Sequence, residues 1–146
     1  MPTTTDVSVE GALVASTFER LYEALRRLTP RDGLSLTAAS TLRRLQRHGP
    51  HRLCALHLAE GVTQPAMTQL VTRLERDGLA TRGPDPVDRR VVVVTITEAG
   101  RALVEQRRAR YTTALAGVLD GLAAPDRAAI MAALQAMERL AEVITE

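Results

Sequence analysis

Between Thr63 and Gly78, apolar and polar residues recur with the period of an amphipathic α-helix. Thr63 is a good N-cap, because its hydroxyl can accept a hydrogen bond from a free amide of the first turn. Pro65 lies in that turn, where its missing N–H costs nothing, and Gly78 can take the positive φ that ends a helix. The pattern predicts a helix over about 64–77 whose apolar stripe consists of Met67, Leu70, Val71 and Leu74.

The face opposite this stripe is polar and contains two arginines but no acidic residue. Its side chains suit contacts with DNA bases and phosphates. Glu75 and Asp77 are expected to lie to one side of it. The residues expected on this face are Gln64, Pro65, Thr68, Gln69, Thr72, Arg73 and Arg76.

The residues before Thr63 predict three further helices after a polar, frayed tail at 1–5. Their expected bounds are 7–28, then Thr37 as N-cap of a helix to His48, then 52–59, with a break at 29–33. The second helix is expected to bury Ala38, Leu42 and Leu45, and the third to bury Leu53, Leu56 and Ala59. Two short helices joined by a glycine-containing turn are typical of a helix-turn-helix, although many αα-hairpins share this pattern.

Two extended runs follow, at about 79–82 and 90–96, and a proline-rich turn joins them. Such a hairpin directly after the second helix predicts a winged helix. Thr97 then caps a long helix to about Leu122, and Pro125 starts a last helix.

The last helix has an apolar spacing of four, three, four and three residues, which is typical of a seam between packed helices. The residues of this seam are Ile130, Leu134, Met137, Ala141 and Ile144. The terminal helices have more apolar surface than one winged helix needs, so they favour a two-fold dimer. The alternative is that they cover only their own core.

The formal charge of +2 is unevenly distributed along the chain. Residues 43–110 contain 13 arginines and 7 acidic residues, whereas 1–42 and 111–146 are net acidic. A basic segment that coincides with the helix-turn-helix is typical of a nucleic-acid-binding face. The chain contains arginine but no lysine, which codon bias largely explains, so only the positions of the arginines are informative.

Other kinds of site have weak support. Cys54 is the only cysteine and is expected to be structural or incidental rather than redox-active, although Arg52 lies close in sequence. His51, Cys54 and His57 fan around one helix without a carboxylate, so we expect no metal and no cofactor. No phosphate loop or hydrolase motif occurs, which argues against an enzyme. The absence of a signal peptide pattern or long apolar run favours the cytoplasm.

The stretch from about Leu36 to Val104 resembles the MarR family of bacterial transcription regulators. The matching segments are LT at 36–37, GVTQPAMTQLVTRLERDGL at 61–79 and DPVDRRVVVVTITEAGRAL at 85–103. The last segment is quite specific, because it joins an Asp-x-Arg in the wing to a Thr-x-x-Gly where the next helix starts. The resemblance implies a homodimer with two winged helix-turn-helix lobes, often a repressor released by a small anionic or aromatic ligand.

The resemblance also implies roles for individual residues. Gln64, Pro65, Thr68 and Gln69 match the recognition-helix positions that face the major groove, and Arg73 matches a common phosphate-side Arg. From the helix pattern itself, Thr63, Thr72 and Arg76 are expected to complete this DNA-binding surface. Arg90 would enter the minor groove, Asp88 would position it, and Arg89 would lie on the adjacent backbone. Gln69 departs from the Arg of many members, which favours an adenine contact over a guanine contact. Phe18, Tyr22 and Tyr111 are the aromatic residues available to line a ligand pocket.

We therefore expect a mainly α protein: a winged helix-turn-helix with a two-stranded β wing, plus N- and C-terminal dimerisation helices. Residues 1–146 would form one MarR-like domain, with dimerisation helices at 6–34 and 105–146 and the DNA-binding lobe at 35–104. The expected partners are double-stranded DNA with a pseudo-palindromic operator, a second copy of the chain and a small effector. The alternative is a winged-helix protein that binds DNA non-specifically or binds another protein.

Overall fold

The computed structural model describes residues 4–29 and 32–145, which are mainly helical with one small antiparallel sheet. The helices are α1 (Thr4–Arg26), α2 (Leu36–His48), α3 (Leu53–Ala59), α4 (Gln64–Arg76), α5 (Glu98–Asp120) and α6 (Ala124–Thr145). The strands are β1 (His51–Arg52), β2 (Ala80–Pro84) and β3 (Val92–Ile96). The expected fold class, a winged helix-turn-helix with flanking helices, is confirmed.

The sheet has the order β1-β3-β2, with β3 in the centre. In the wing hairpin Ala80 lies opposite Ile96 and Pro84 lies opposite Val92. Along β3, Val94 and Ile96 are buried while Val93 and Thr95 are partly exposed, as the two-residue period of a strand requires. One face of the sheet therefore belongs to the core.

The chain divides into two compact units. One unit comprises Thr29–Arg110, and the other comprises Met1–Leu28 together with Tyr111–Glu146. The first unit has one aliphatic core, whose largest fully buried apolar side chains are Leu42, Leu45, Leu56, Met67, Val71, Leu74 and Val94. Burial of each such side chain contributes about 1.5–3 kcal/mol, so the helix-turn-helix and the sheet stabilise each other.

Several boundaries differ from the expectation, each for a local reason. The N-cap of α2 is Ser35 rather than Thr37, because Ser35 is extended and its hydroxyl accepts the N–H of Ala38 at 3.1 Å. Ala59 is exposed rather than buried, since it lies in the last turn of α3. Thr4 and Thr5 are already helical, so the expected tail at 1–5 is wrong for these two residues, and residues 1–3 lie outside the described part.

The strands also differ from their expected bounds. β3 starts at Val92 rather than at Arg90, because the carboxylate of Asp88 binds the N–H of Arg90 within the turn. β1 was not predicted at all. It has only two residues, which is too short for any periodicity to show.

Thr97 and Gly100 attach the start of α5 to the end of α4. The Thr97 hydroxyl donates to the carbonyl of Gly78 at 2.6 Å and accepts the N–H of Gly100 at 3.1 Å. A Cβ at Gly100 would lie 2.2 Å from the carbonyl oxygen of Leu79 and 2.7 Å from a side-chain carbon of Ile96. This close approach of backbone to backbone explains why Thr-x-x-Gly stands at the start of α5.

Replacing Gly100 with alanine should therefore destabilise the protein. Overpacking a well-packed site costs about 1–3 kcal/mol, which should appear as a lower urea midpoint at unchanged slope. Gly117→Ala is the matched control, because Gly117 is in the same helix and a Cβ there meets nothing within 4 Å. That control should stabilise by about 0.5–1 kcal/mol. Equal stability of both variants would contradict the close approach.

Candidate nucleic-acid interface

The start of α4 is built as the sequence predicts. The Thr63 hydroxyl accepts the N–H of Ala66 at 3.3 Å, and Pro65 occupies the first turn. Gly78 has a φ of 73° just after the helix, in the left-handed region that glycine favours. The four residues of the apolar stripe are buried, so the opposite face is fixed outwards.

All seven residues expected on the outer face of α4 lie at the surface, with Thr68 partly buried. The hydroxyls of Thr68 and Thr72 donate to the carbonyls of Gln64 and Thr68, at 3.0 and 2.9 Å. Their protons are thereby engaged, so towards solvent both threonines offer acceptor lone pairs and a methyl group. The outer face thus accepts hydrogen bonds at its threonines and can donate them at its amides and guanidinium groups.

The arginines of this face differ in their availability. Arg76 donates from Nε to Asp77 at 3.1 Å, in an exposed pair. Arg73 makes no ion pair with the residues that the structure describes, so its guanidinium is available to a phosphate. Gln69 is also exposed, and its amide makes no hydrogen bond with the described residues.

At the wing tip, Asp88 orients Arg90. One oxygen of the Asp88 carboxylate accepts both the backbone N–H of Arg90, at 3.1 Å, and its Nε, at 3.2 Å. The Arg90 side chain is 91% exposed, so Asp88 holds it at its base while both NH₂ groups project into solvent. Arg89 is exposed beside it, and Val87 is 91% exposed.

Sequence reasoning did not identify Asp85, which lies at the base of the wing loop and is 7% exposed. Its Oδ1 accepts the N–H groups of Val87 and Asp88, and its Oδ2 accepts Nε of Arg52 at 3.0 Å. The N–H groups of Val87 and Asp88, and after them Arg52, hold the pKa of Asp85 below its ordinary value against the raising effect of burial. The Asp-Pro turn was visible in the sequence, but the unpredicted strand β1 supplies the arginine.

A second ion pair that was not predicted joins α4 to the wing. Arg82 in β2 donates to Glu75 from its backbone N–H, from Nε at 3.0 Å and from Nη2 at 2.8 Å. The hydrogen bonds from the Arg82 side chain, and then from its backbone, hold the pKa of Glu75 below its ordinary value. Arg82 is therefore a structural cation, whereas Arg73 and Arg90 face outwards.

The other candidate residues remain separate from this surface. His51 Nδ1 lies 2.8 Å from the carbonyl of Gly49, and His57 Nδ1 lies 3.3 Å from that of Val62. Among the described residues no group of three His, Cys, Asp or Glu side chains could hold a metal ion. Phe18 and Tyr22 are exposed on α1, and Tyr111 is half-buried on α5.

The fold and the outward polar helix define a winged helix-turn-helix protein. The chain belongs to the MarR family, whose model matches residues 34–92. The HTH-type transcriptional repressor NicR of Pseudomonas putida is similar, with 37% identity over 99 residues that cover 66% of this chain and 61% of NicR.

Two solved structures extend the similarity along the chain. The transcriptional regulator Tm0710 of Thermotoga maritima is 30% identical, with a TM-score of 0.67 over 87% of this chain and 95% of that one. BpsR of Bordetella bronchiseptica is 28% identical, with a TM-score of 0.60 over 88% of this chain and 91% of that one.

The curated relatives are matched over only part of their length. The chain spans 64% of the length of mycobacterial regulators that are 38% identical to it, and 61% of the length of NicR.

No helix in the described part of the chain is long and apolar enough to cross a membrane.

Proposed function

We propose that the protein is a homodimeric, sequence-specific DNA-binding transcriptional regulator of the cytoplasm and not an enzyme. The observation that carries this proposal is the pairing, in one compact unit, of an outward polar helix face with an oriented arginine on a wing. α4 enters the major groove, and the wing follows the adjacent minor groove, where a narrow groove attracts an inserted arginine.

The residues of α4 divide between bases and backbone. Gln64, Thr68 and Gln69 read base edges, with Pro65 packed beside them, while Thr63, Thr72, Arg73 and Arg76 contact the backbone. Because the Thr68 hydroxyl already donates within the helix, Thr68 accepts from an amino group of adenine or cytosine, or packs its methyl group on thymine. Gln69, with a free amide, suits adenine.

The dimer is supported by the terminal helices. All side chains of α6 between residues 124 and 144 are exposed, although the helix carries the apolar seam. α1 also exposes Val9, Leu13, Val14, Phe18 and Leu21. So many exposed apolar residues on two helices of one unit favour a protein–protein interface. A second copy covers these residues and places two α4 helices on the half-sites of a pseudo-palindrome.

Regulation by a small ligand is also part of the proposal, and two relatives support it. NicR is named a repressor, and DNA binding by BpsR is regulated by 6-hydroxynicotinic acid. We extend this behaviour to the present protein as a repressor released by a small aromatic or anionic effector, with Phe18, Tyr22 and Tyr111 as lining residues. Titration of such acids into the complex with DNA tests this extension.

Replacing Gln69 or Thr68 with alanine tests sequence-specific reading. Each change should cost about 1–3 kcal/mol on the operator and relax the preference at one or two base pairs. The measurement is a gel shift with DNA from upstream of the gene and with scrambled DNA of equal length, in the presence of competitor.

Arg73→Ala is the control for this experiment, because loss of a phosphate contact should weaken both complexes to the same extent. An equal loss on both DNAs for Gln69→Ala and Thr68→Ala would instead favour the non-specific, architectural function.

A further inference from the structure

The wing loop from Asp85 to Val91 is closed by a small set of hydrogen bonds. The N–H of Asp85 donates to the carbonyl of Val91 at 2.8 Å, and the N–H of Val91 donates to the carbonyl of Asp88 at 2.9 Å. Oδ1 of Asp85 accepts the N–H of Val87 at 2.8 Å and the N–H of Asp88 at 3.2 Å. A single side chain therefore binds two backbone amides in the middle of the loop.

The other oxygen of Asp85 faces the sheet. It accepts Nε of Arg52, which lies in β1 opposite Val93 of the wing strand β3. Three donors thus converge on one nearly buried carboxylate, whose two oxygens provide enough acceptor sites for all of them. An asparagine has one acceptor oxygen and would turn an NH₂ group towards one of these donors.

A continuous series of contacts leads from this carboxylate to the wing-tip arginine. Asp85 binds the N–H of Asp88, and Asp88 in turn binds the N–H and Nε of Arg90. The Arg90 side chain is 91% exposed and makes no other ion pair with the described residues. Its direction therefore depends on Asp88, whose backbone N–H is held by the Asp85 side chain and whose carbonyl is held by the N–H of Val91.

We infer that Asp85 is a positioning residue for DNA binding, and that Arg52 secures it to the sheet. This inference rests on the proposed function. Asp85 does not touch DNA; it acts through Asp88 to hold Arg90 at the angle that the minor groove requires. Loss of the negative charge of Asp85 should accordingly weaken DNA binding. If only Coulomb repulsion between this carboxylate and the DNA phosphates mattered, its loss would strengthen binding instead.

A double-mutant cycle of Asp85→Asn with Arg90→Ala tests the inference on operator DNA at several salt concentrations. Each single change should weaken binding by about tenfold, and the double variant should bind within about twofold of Arg90→Ala alone. Asp85→Asn should also reduce the magnitude of the salt slope by about 1 per lobe, as loss of Arg90 itself does.

Glu60→Gln is the matched control, because Glu60 is a similarly buried acid of the same unit that pairs with Arg44. It should leave both the affinity and the effect of Arg90→Ala unchanged. Arg52→Gln is a second, more conservative variant, since the Arg52 side chain is half-exposed. Arg52→Gln should also weaken DNA binding. Combined with Asp85→Asn, it should add little to the loss of affinity that Asp85→Asn causes alone.

Three results would overturn the inference while leaving the proposed function in place. The first is that the effects of Asp85→Asn and Arg90→Ala on affinity are additive, and the second is that Asp85→Asn binds DNA more tightly. The third is that Asp85→Asn loses affinity together with a lowered melting temperature while Arg52→Gln binds DNA normally. Failure of the unmodified protein to prefer any operator would overturn the proposed function itself.

Discussion

Replacing both Leu134 and Met137 with glutamate should convert the protein to a monomer and weaken operator binding by about 10²–10⁴-fold. These side chains are 42% and 38% exposed in the single chain and lie in the apolar seam of α6. In a two-fold interface each substitution occurs twice, so four carboxylates would have to be buried. In the dimer, binding of one lobe holds the second lobe close to its half-site, which raises the overall affinity. A monomer loses this gain, and the expected loss of affinity is of that size.

Size-exclusion chromatography with light scattering measures the mass of this variant, and circular dichroism checks that it remains folded. Gln135→Glu is the control, since it places the same charge on α6 outside the seam, and it should remain dimeric. A dimer of the double variant that binds DNA normally would show that α6 faces solvent and that the interface lies elsewhere.

Replacing Asp88 with alanine should weaken binding to the operator, although this change removes a negative charge beside phosphate. The carboxylate binds Arg90 at two of its nitrogens, so without it the exposed guanidinium samples many directions. Arg90→Ala should reduce the magnitude of the salt slope by about 1 per lobe, and most strongly on operators with A·T-rich flanks. Asp88→Ala should follow the same trend with a smaller loss.

The sign of the Asp88→Ala effect decides between two physical accounts. Tighter binding at every salt concentration would mean that simple charge repulsion dominates and that Asp88 does not orient Arg90. Asp77→Ala is a useful comparison, because Asp77 is an exposed acid paired with Arg76 at the end of α4. Its loss should follow the Coulomb expectation, since Arg76 is held at one nitrogen only.

The sequence predicted α4 closely, because three independent local signals coincide there. A cap at Thr63, an apolar stripe and a glycine with positive φ all act within the helix itself, so they can be read from neighbouring residues. The wing hairpin was predicted for a similar reason: a run of valines follows a turn that is too rich in proline for a helix.

The contacts that hold α4 and the wing in place in the candidate nucleic-acid interface were not predictable in this way. Arg52 and Asp85 are 33 positions apart, and they meet only because β1 joins the sheet. Glu75 was placed correctly at the side of α4, but its partner Arg82 depends on how β2 crosses the end of the helix. Ser35 and Thr37 are both good caps by residue type, and the extended backbone at Ser35 decides between them.

Cys54, which is not expected to be redox-active, makes the protein convenient for spectroscopy. It is the only cysteine of the sequence and lies exposed on α3, next to β1 and within the unit that contains α4. A thiol-directed spin label would therefore give one label per chain and a single inter-label distance in a two-fold dimer. That distance reports the spacing of the two lobes, which must match half-sites about 34–36 Å apart for DNA to be bound. The same label can follow how an effector changes this spacing without any further substitution.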